Sequence, residues 1–174
     1  MQDVLDKAAQ IKLIIFDVDG VLTDGSLYLG DDGQEYKAFN SQDGHGLVML
    51  QQTGVTVGII TGRTSQVVEI RMRSLGIQHL YQGQRDKRPA YTELKQTLGV
   101  TDAEVAYVGD DVVDLPVMSQ VGLAIAVQDA HPFTRQHAHW VTTAAGGKGA
   151  AREVCELIMQ AQGHLDTHLQ SYLQ

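Results

Sequence analysis

The sequence predicts an α/β fold, one open parallel sheet with helices layered against it, and three observations predict it. Apolar, β-branched runs recur at 11–16 (IKLIIF), 55–60 (VTVGII), 104–108 (EVAYV) and 122–127 (GLAIAV), as in strands buried on both faces. Helical patterns separate these runs, and such alternation is the signature of a layered α/β domain. Acidic and hydroxyl side chains follow the runs directly, where open α/β sheets bind ligands.

Taken in order, the first run opens into "FDVDGVLTD" (16–24). Asp17 and Asp19 stand at i and i+2, so both carboxylates can point one way while Val18 packs elsewhere. Charge at the end of a buried strand is costly unless it is paired. These two could bind a hard cation, attack an electrophile, shuttle a proton, or simply cap a loop. An EF-hand calcium loop is excluded, because its fifth and sixth places hold Val21 and Leu22 instead of an oxygen ligand and glycine.

The stretch 25–39 (GSLYLGDDGQEYKAF) interrupts the alternation with two short segments around Asp-Asp-Gly, a hairpin signature inserted after the first strand. Helical spacing follows over 43–52. After the second run, "TGRT" offers the Thr61 hydroxyl and the Gly62 amide before the 64–75 helix. This is either a small anion site or an ordinary N-cap. Gly76 and Gly99 stand where helix-ending glycines are expected, and Pro89 suits the first turn of a helix over 87–98. Lys87 opens that helix against the dipole rule, which makes it a candidate for neutralising acids elsewhere; Arg85 and Arg88 read as surface groups.

Thr101 and Glu104 have capping-box spacing, but the strand expected from 104 leaves no room for a helix. "GDDVVD" then places Asp110 and Asp111 at a strand end and Asp114 one helical turn on, within a helix over about 112–119. Such a cluster of acids calls for a divalent cation or a nearby lysine. His137 and His139 are expected to flank a short strand. The glycine-rich "AAGGKG" precedes a helix over 148–161 in which Cys155 reads as packed, and 162–174 as a weakly structured tail. His164 and His168 have the spacing of a metal pair, with no third ligand in view.

A chain of 174 residues suits one domain, here 1–174. With 13 Lys+Arg against 21 Asp+Glu, its formal charge of −8 disfavours nonspecific binding to nucleic acid or anionic membrane. One cysteine cannot form an intrachain disulfide, and the start lacks the pattern of a signal peptide, so the expected location is cytoplasmic.

Asp-x-Asp-Gly-x-x-Thr-Asp, a strand ending in Thr, then Lys, then Gly-Asp-Asp-x-x-Asp, all within 13–118, resemble the four ordered motifs of haloacid dehalogenase superfamily phosphatases. "DVDGVLTDG", the hairpin, "ITGR", "HLYQGQ" followed after one residue by "DK", "YVGDDVVDLPVM" and "GGKGAAREVCELI" resemble, over nearly the whole chain, the 3-deoxy-D-manno-octulosonate (Kdo) 8-phosphate phosphatase family.

That resemblance implies a capless, Rossmann-like doubly wound sheet and a Mg2+-dependent enzyme, typically a homotetramer. Its activity would be hydrolysis of Kdo 8-phosphate, a sugar-acid phosphate, in lipopolysaccharide biosynthesis. It makes Asp17 the nucleophile that forms an aspartyl phosphate, and Asp19 the acid/base group. Mg2+ would be held by Asp17, the backbone carbonyl of Asp19 and Asp110, with Asp111 supporting. Thr61 and Lys87 would bind phosphoryl oxygens, with Asp114 holding Lys87.

The resemblance also places Asn40, Ser41, Gln42, Asp43 and Gly44, with Gly62, Arg63 and Arg71, near the sugar acid. Many relatives carry a basic residue within or shortly after the 40–44 segment, where this chain has Gln42 and Val48. A nine-carbon ulosonic acid phosphate is the alternative substrate, and a silent binding or regulatory subunit the alternative class.

Overall fold

A computed structural model describes residues 1–174. In chain order the elements are α1 (Gln2–Ala8), β1 (Leu13–Phe16), β2 (Tyr28–Leu29), β3 (Glu35–Tyr36), α2 (Ser41–Gln52), β4 (Thr56–Ile60), α3 (Gln66–Ser74) and β5 (His79–Tyr81). They continue with α4 (Arg88–Leu98), β6 (Val105–Gly109), α5 (Leu115–Met118), β7 (Leu123–Ala126), α6 (Pro132–Gln136), β8 (Trp140–Val141), α7 (Ala150–Ala161) and α8 (Leu165–Gln170).

Six strands form one parallel sheet in the order β5-β4-β1-β6-β7-β8. β1 lies between β4 and β6, with Phe16 opposite Ile59 on one side and Val108 on the other. The chain runs first to one side of β1 and later to the other. Strand order therefore reverses at β1, and a crevice opens beyond its carboxyl end. All four residues of β1 are fully buried, as the unbroken run "LIIF" requires when helices cover both faces. α1 and α2 both pack on α7, while α4 packs on α5.

β2 and β3 form a separate hairpin, Tyr28 opposite Tyr36 and Leu29 opposite Glu35. Its Leu27, Tyr28, Leu29 and Tyr36 are all exposed. The glycine-rich loop is not a free linker. The Gly147 amide donates to the Val21 carbonyl at 2.9 Å, and a Cβ on Gly146 would lie 1.8 Å from the carbonyl oxygen of Gly20. Only glycine permits this approach to the loop after β1.

The structure departs from the sequence reading in several places. Thr101 and Glu104 do form a capping box, around a one-turn 3-10 helix (Asp102–Glu104) short enough to fit before β6. The 112–119 helix is split into a 3-10 turn (Val112–Asp114) and α5. β5 and α1 escaped notice because β5 has three half-buried residues and α1 buries only Val4 and Ala8, too little for an apolar period. The final residues are helical and docked: Tyr172 Oη pairs with His45 Nε2 at 2.9 Å and with His168 Nε2 at 3.4 Å. His168 thus helps seat α8 on α2. Cys155 is fully buried, and burial pushes its thiol well above the usual range, so it is packed and unreactive.

Candidate active site

The crevice beyond β1 is a cavity of about 350 Å³ lined by eleven residues. Asp17 follows β1, Thr61 and Gly62 follow β4, and Asp110 and Asp111 follow β6, so three adjacent strand ends deliver them together. Asp19, Arg63 and Lys87 line it too, as expected, while Gln84, Arg85 and Val113 were not expected there.

Lys87 is the N-cap residue of α4, yet its side chain is 2% exposed. Its ammonium reaches Asp17 Oδ1 at 3.0 Å, Asp114 Oδ1 at 2.7 Å and Tyr107 Oη at 3.0 Å. These three acceptors match the three N–H groups of an ammonium. They also explain a lysine that the helix dipole disfavours. Burial opposes its charge, but the carboxylates of Asp17 and Asp114 outweigh that and raise its pKa.

Asp114, fully buried, also accepts from Tyr107 Oη at 2.7 Å and from the amides of Asp110 and Asp111 at 3.0 and 3.2 Å. Each of its oxygens has two donors. Oxygens of Asp17, Asp110 and Asp114 all lie within 4.8 Å of one another. Because Asp114 is saturated by donors, Asp17 and Asp110 remain as the carboxylates that could hold a cation. Asp19 lines the same cavity, and its backbone carbonyl accepts no backbone hydrogen bond.

The electrostatics call for that cation. Burial, then the negative charge of Asp114, push the Asp17 carboxyl up to about 6 despite Lys87. Burial and the carboxylates of Asp114, Asp17 and Asp111 push Asp110 up to about 8. Oxygen donors whose charge is so poorly offset suit a hard divalent ion such as Mg2+. Gly20 keeps the arrangement open: its φ is +90°, and a Cβ there would lie 2.1 Å from Asp110 Oδ2. Asp111, exposed, caps the following 3-10 turn through the Val112 amide at 2.7 Å.

Thr61 is 2% exposed, its amide donating to the Tyr81 carbonyl and its carbonyl accepting from the Gln84 amide, both at 2.9 Å. Asp19 is met by Lys37, a residue the sequence reading missed. The Lys37 ammonium bonds the Asp19 carboxylate and lies 3.3 Å from Glu35, with its side chain 1% exposed. Arg63 pairs with Glu35 at 2.8 Å and lies 3.9 Å from Asp19. The hairpin is thereby fastened to the cavity. Nothing near Lys37 in the sequence signals this, since Asp19 lies 18 positions away.

The 40–44 segment is not brought to this cavity. Asn40 caps α2, accepting from the Gln42 and Asp43 amides at 2.8 and 3.1 Å. Buried Asp43 accepts from the Arg152 amide at 2.9 Å and the Gly149 amide at 3.3 Å, so it caps α7. Ser41 and Gln42 are exposed, and Gly44 gives room to the Arg71 guanidinium, which stands 5.9 Å over Phe39. Asn40, Asp43, Gly44 and Arg71 thus lie together at the start of α2, apart from the residues that line the cavity of the same chain. Arg85, read as a surface group, is exposed but lines the cavity.

Residues 73–154 match the family model described as haloacid dehalogenase-like hydrolase. The chain is 54% identical over 164 residues to the 3-deoxy-D-manno-octulosonate 8-phosphate phosphatase KdsC of Yersinia pestis, covering 94% of this chain and 88% of that one. The chain belongs to the Kdo 8-phosphate phosphatase family. A Kdo 8-phosphate phosphatase from Moraxella catarrhalis, solved with magnesium, phosphate and Kdo, superposes with a TM-score of 0.97 at 44% identity, over 99% of both chains. A probable YrbI family phosphatase from Pseudomonas syringae superposes at 0.99 with 52% identity, over 100% of this chain and 99% of that one. The parallel sheet is thus that of the Kdo 8-phosphate phosphatases.

Proposed function

We propose that this chain is a Mg2+-dependent phosphatase that hydrolyses Kdo 8-phosphate to Kdo and inorganic phosphate, a step of lipopolysaccharide biosynthesis. The observation that carries this is 54% identity to a Kdo 8-phosphate phosphatase over 94% of the chain, with the acids, Thr61 and Lys87 in one cavity.

Asp17 Oδ attacks phosphorus, and the bond from phosphorus to the sugar oxygen breaks. Asp19 gives its proton to that oxygen, so Kdo leaves as an alcohol. The Asp19 carboxylate then takes a proton from water, whose oxygen attacks the aspartyl phosphate, releasing phosphate and restoring Asp17. Lys87, Thr61 and the Gly62 amide hold the phosphoryl oxygens, Asp114 and Tyr107 fix Lys87, and Lys37 orients Asp19. Asp17, the Asp19 carbonyl and Asp110, with Asp111 supporting, would hold Mg2+, whose charge would offset repulsion between carboxylate and phosphate dianion.

The test is phosphate release from Kdo 8-phosphate, a nine-carbon ulosonic acid phosphate and glucose 6-phosphate, each with Mg2+ and with chelator. Preference for Kdo 8-phosphate, abolished by chelator, is expected; preference for either other substrate overturns the assignment.

The same reading makes the enzyme a cytoplasmic homotetramer. No helix is long and apolar enough to cross a membrane. The exposed hairpin, with Leu29 67% exposed, is a surface that association would cover. Leu27→Glu with Leu29→Glu should lower the mass found by sedimentation equilibrium; an unchanged mass would remove the hairpin from the interface.

A further inference from the structure

We propose that Arg85 is a specificity residue that receives the carboxylate of the sugar-acid substrate. The idea rests on the assignment of a ulosonic acid phosphate as substrate.

Three cationic side chains line the cavity: Arg63, Arg85 and Lys87. Lys87 is buried beside Asp17, Asp114 and Tyr107, at the phosphate end of the cavity. Arg63 is drawn to the hairpin by Glu35 at 2.8 Å. Arg85 has no carboxylate partner. The nearest acid in sequence, Asp86, is occupied by Arg88, which binds it through two nitrogens at 2.9 and 2.8 Å. Arg71 is held against Gly44 and Phe39, outside the cavity, and Gln42 carries no charge.

The backbone beneath Arg85 is fixed. The Gln84 amide donates to the Thr61 carbonyl at 2.9 Å, the Gly83 amide to the Arg63 carbonyl at 3.1 Å, and Gln82 accepts from the Ser65 amide at 2.8 Å. This ties the loop to the segment that carries Thr61. Two residues span at most about 7 Å of chain. Lys87 turns inward from this short span, while exposed Arg85 lies at the mouth. A substrate whose phosphate sits at Asp17 and Lys87 must direct its opposite end outward. In a ulosonic acid phosphate that end bears the carboxylate, for which a planar guanidinium is the matched partner. The cavity's four lining carboxylates would repel this group elsewhere.

The experiment compares wild type, Arg85→Gln and Arg85→Lys on Kdo 8-phosphate and on ribose 5-phosphate, which has no carboxylate. Wild-type turnover of Kdo 8-phosphate is measured first, because its absence overturns the substrate assignment independently of Arg85. Given that turnover, Arg85→Gln should lower kcat/KM for Kdo 8-phosphate about tenfold, near the low end for a charged hydrogen bond because the site is exposed. The loss should fall in KM more than in kcat and exceed the loss on ribose 5-phosphate, with Arg85→Lys between the two. Equal losses on both substrates, or no loss on Kdo 8-phosphate, would overturn the proposal.

Discussion

Asp17→Asn is expected to cut phosphate release by at least about 10^4-fold, the scale seen when a covalent nucleophile is removed, without lowering the melting temperature of the metal-free protein. The amide cannot form the acyl phosphate, while Lys87, Thr61 and the acids around them stay in place. Stability should hold because the ionised form of Asp17 is disfavoured where it stands. Burial and the Asp114 charge outweigh the attraction of Lys87 and push the carboxyl up to about 6. A neutral isostere relieves that conflict and still offers an oxygen to the Lys87 ammonium 3.0 Å away. Steady-state phosphate release and thermal melting without metal check both halves. Activity within tenfold of wild type would refute the nucleophile assignment, and a drop of several degrees would show that the Asp17 charge stabilises the fold.

Asp114→Ala should do the opposite, damaging fold and activity together. It strips partners from Lys87, the Tyr107 hydroxyl and two backbone amides, with Lys87 2% and Tyr107 0% exposed. Breaking one side of a buried ion pair costs about 3–5 kcal/mol. Loss of Asp114 also eases repulsion on Asp17 and Asp110, and Lys87 keeps Asp17, so the lower end applies. At about 2–4 °C per kcal/mol for a chain of this size, the melting temperature should fall by roughly 10 °C. Tyr107→Phe, which removes one hydroxyl, should fall by only a few degrees, at about 1 kcal/mol. A shift under about 2 °C for Asp114→Ala would mean that its four hydrogen bonds only offset the repulsion they accompany.

Much of this molecule was legible along the chain. The strand runs around 13–16, 56–60, 105–109 and 123–126 stand out because burial on both faces leaves few polar positions. Asp17, Thr61, Lys87 and Asp110 stand out because each sits where a strand or helix ends, against local propensity or at a cost that only a ligand or a partner offsets. β5 and α1 were not legible, since short or largely solvated elements lack a hydrophobic period. The capping role of Asp43 was not legible for a related reason. A polar residue early in a helix reads the same whether it meets a ligand or, as Asp43 does, caps another helix more than 100 positions away.

By itself, then, the sequence determined the layered α/β class, the order of the strand-end motifs and the sign of the charges that meet there. Those follow from periodicity and from the cost of burying charge, which act over a few residues. The tertiary structure decided which charges remain available. It pairs Lys37 with Asp19, Arg63 with Glu35, and Asp114 with Lys87 and Tyr107, and it leaves Arg85 without a partner. Whether a cation is spent or free depends on distances of about 3 Å between residues far apart in the chain, and only the folded topology sets them.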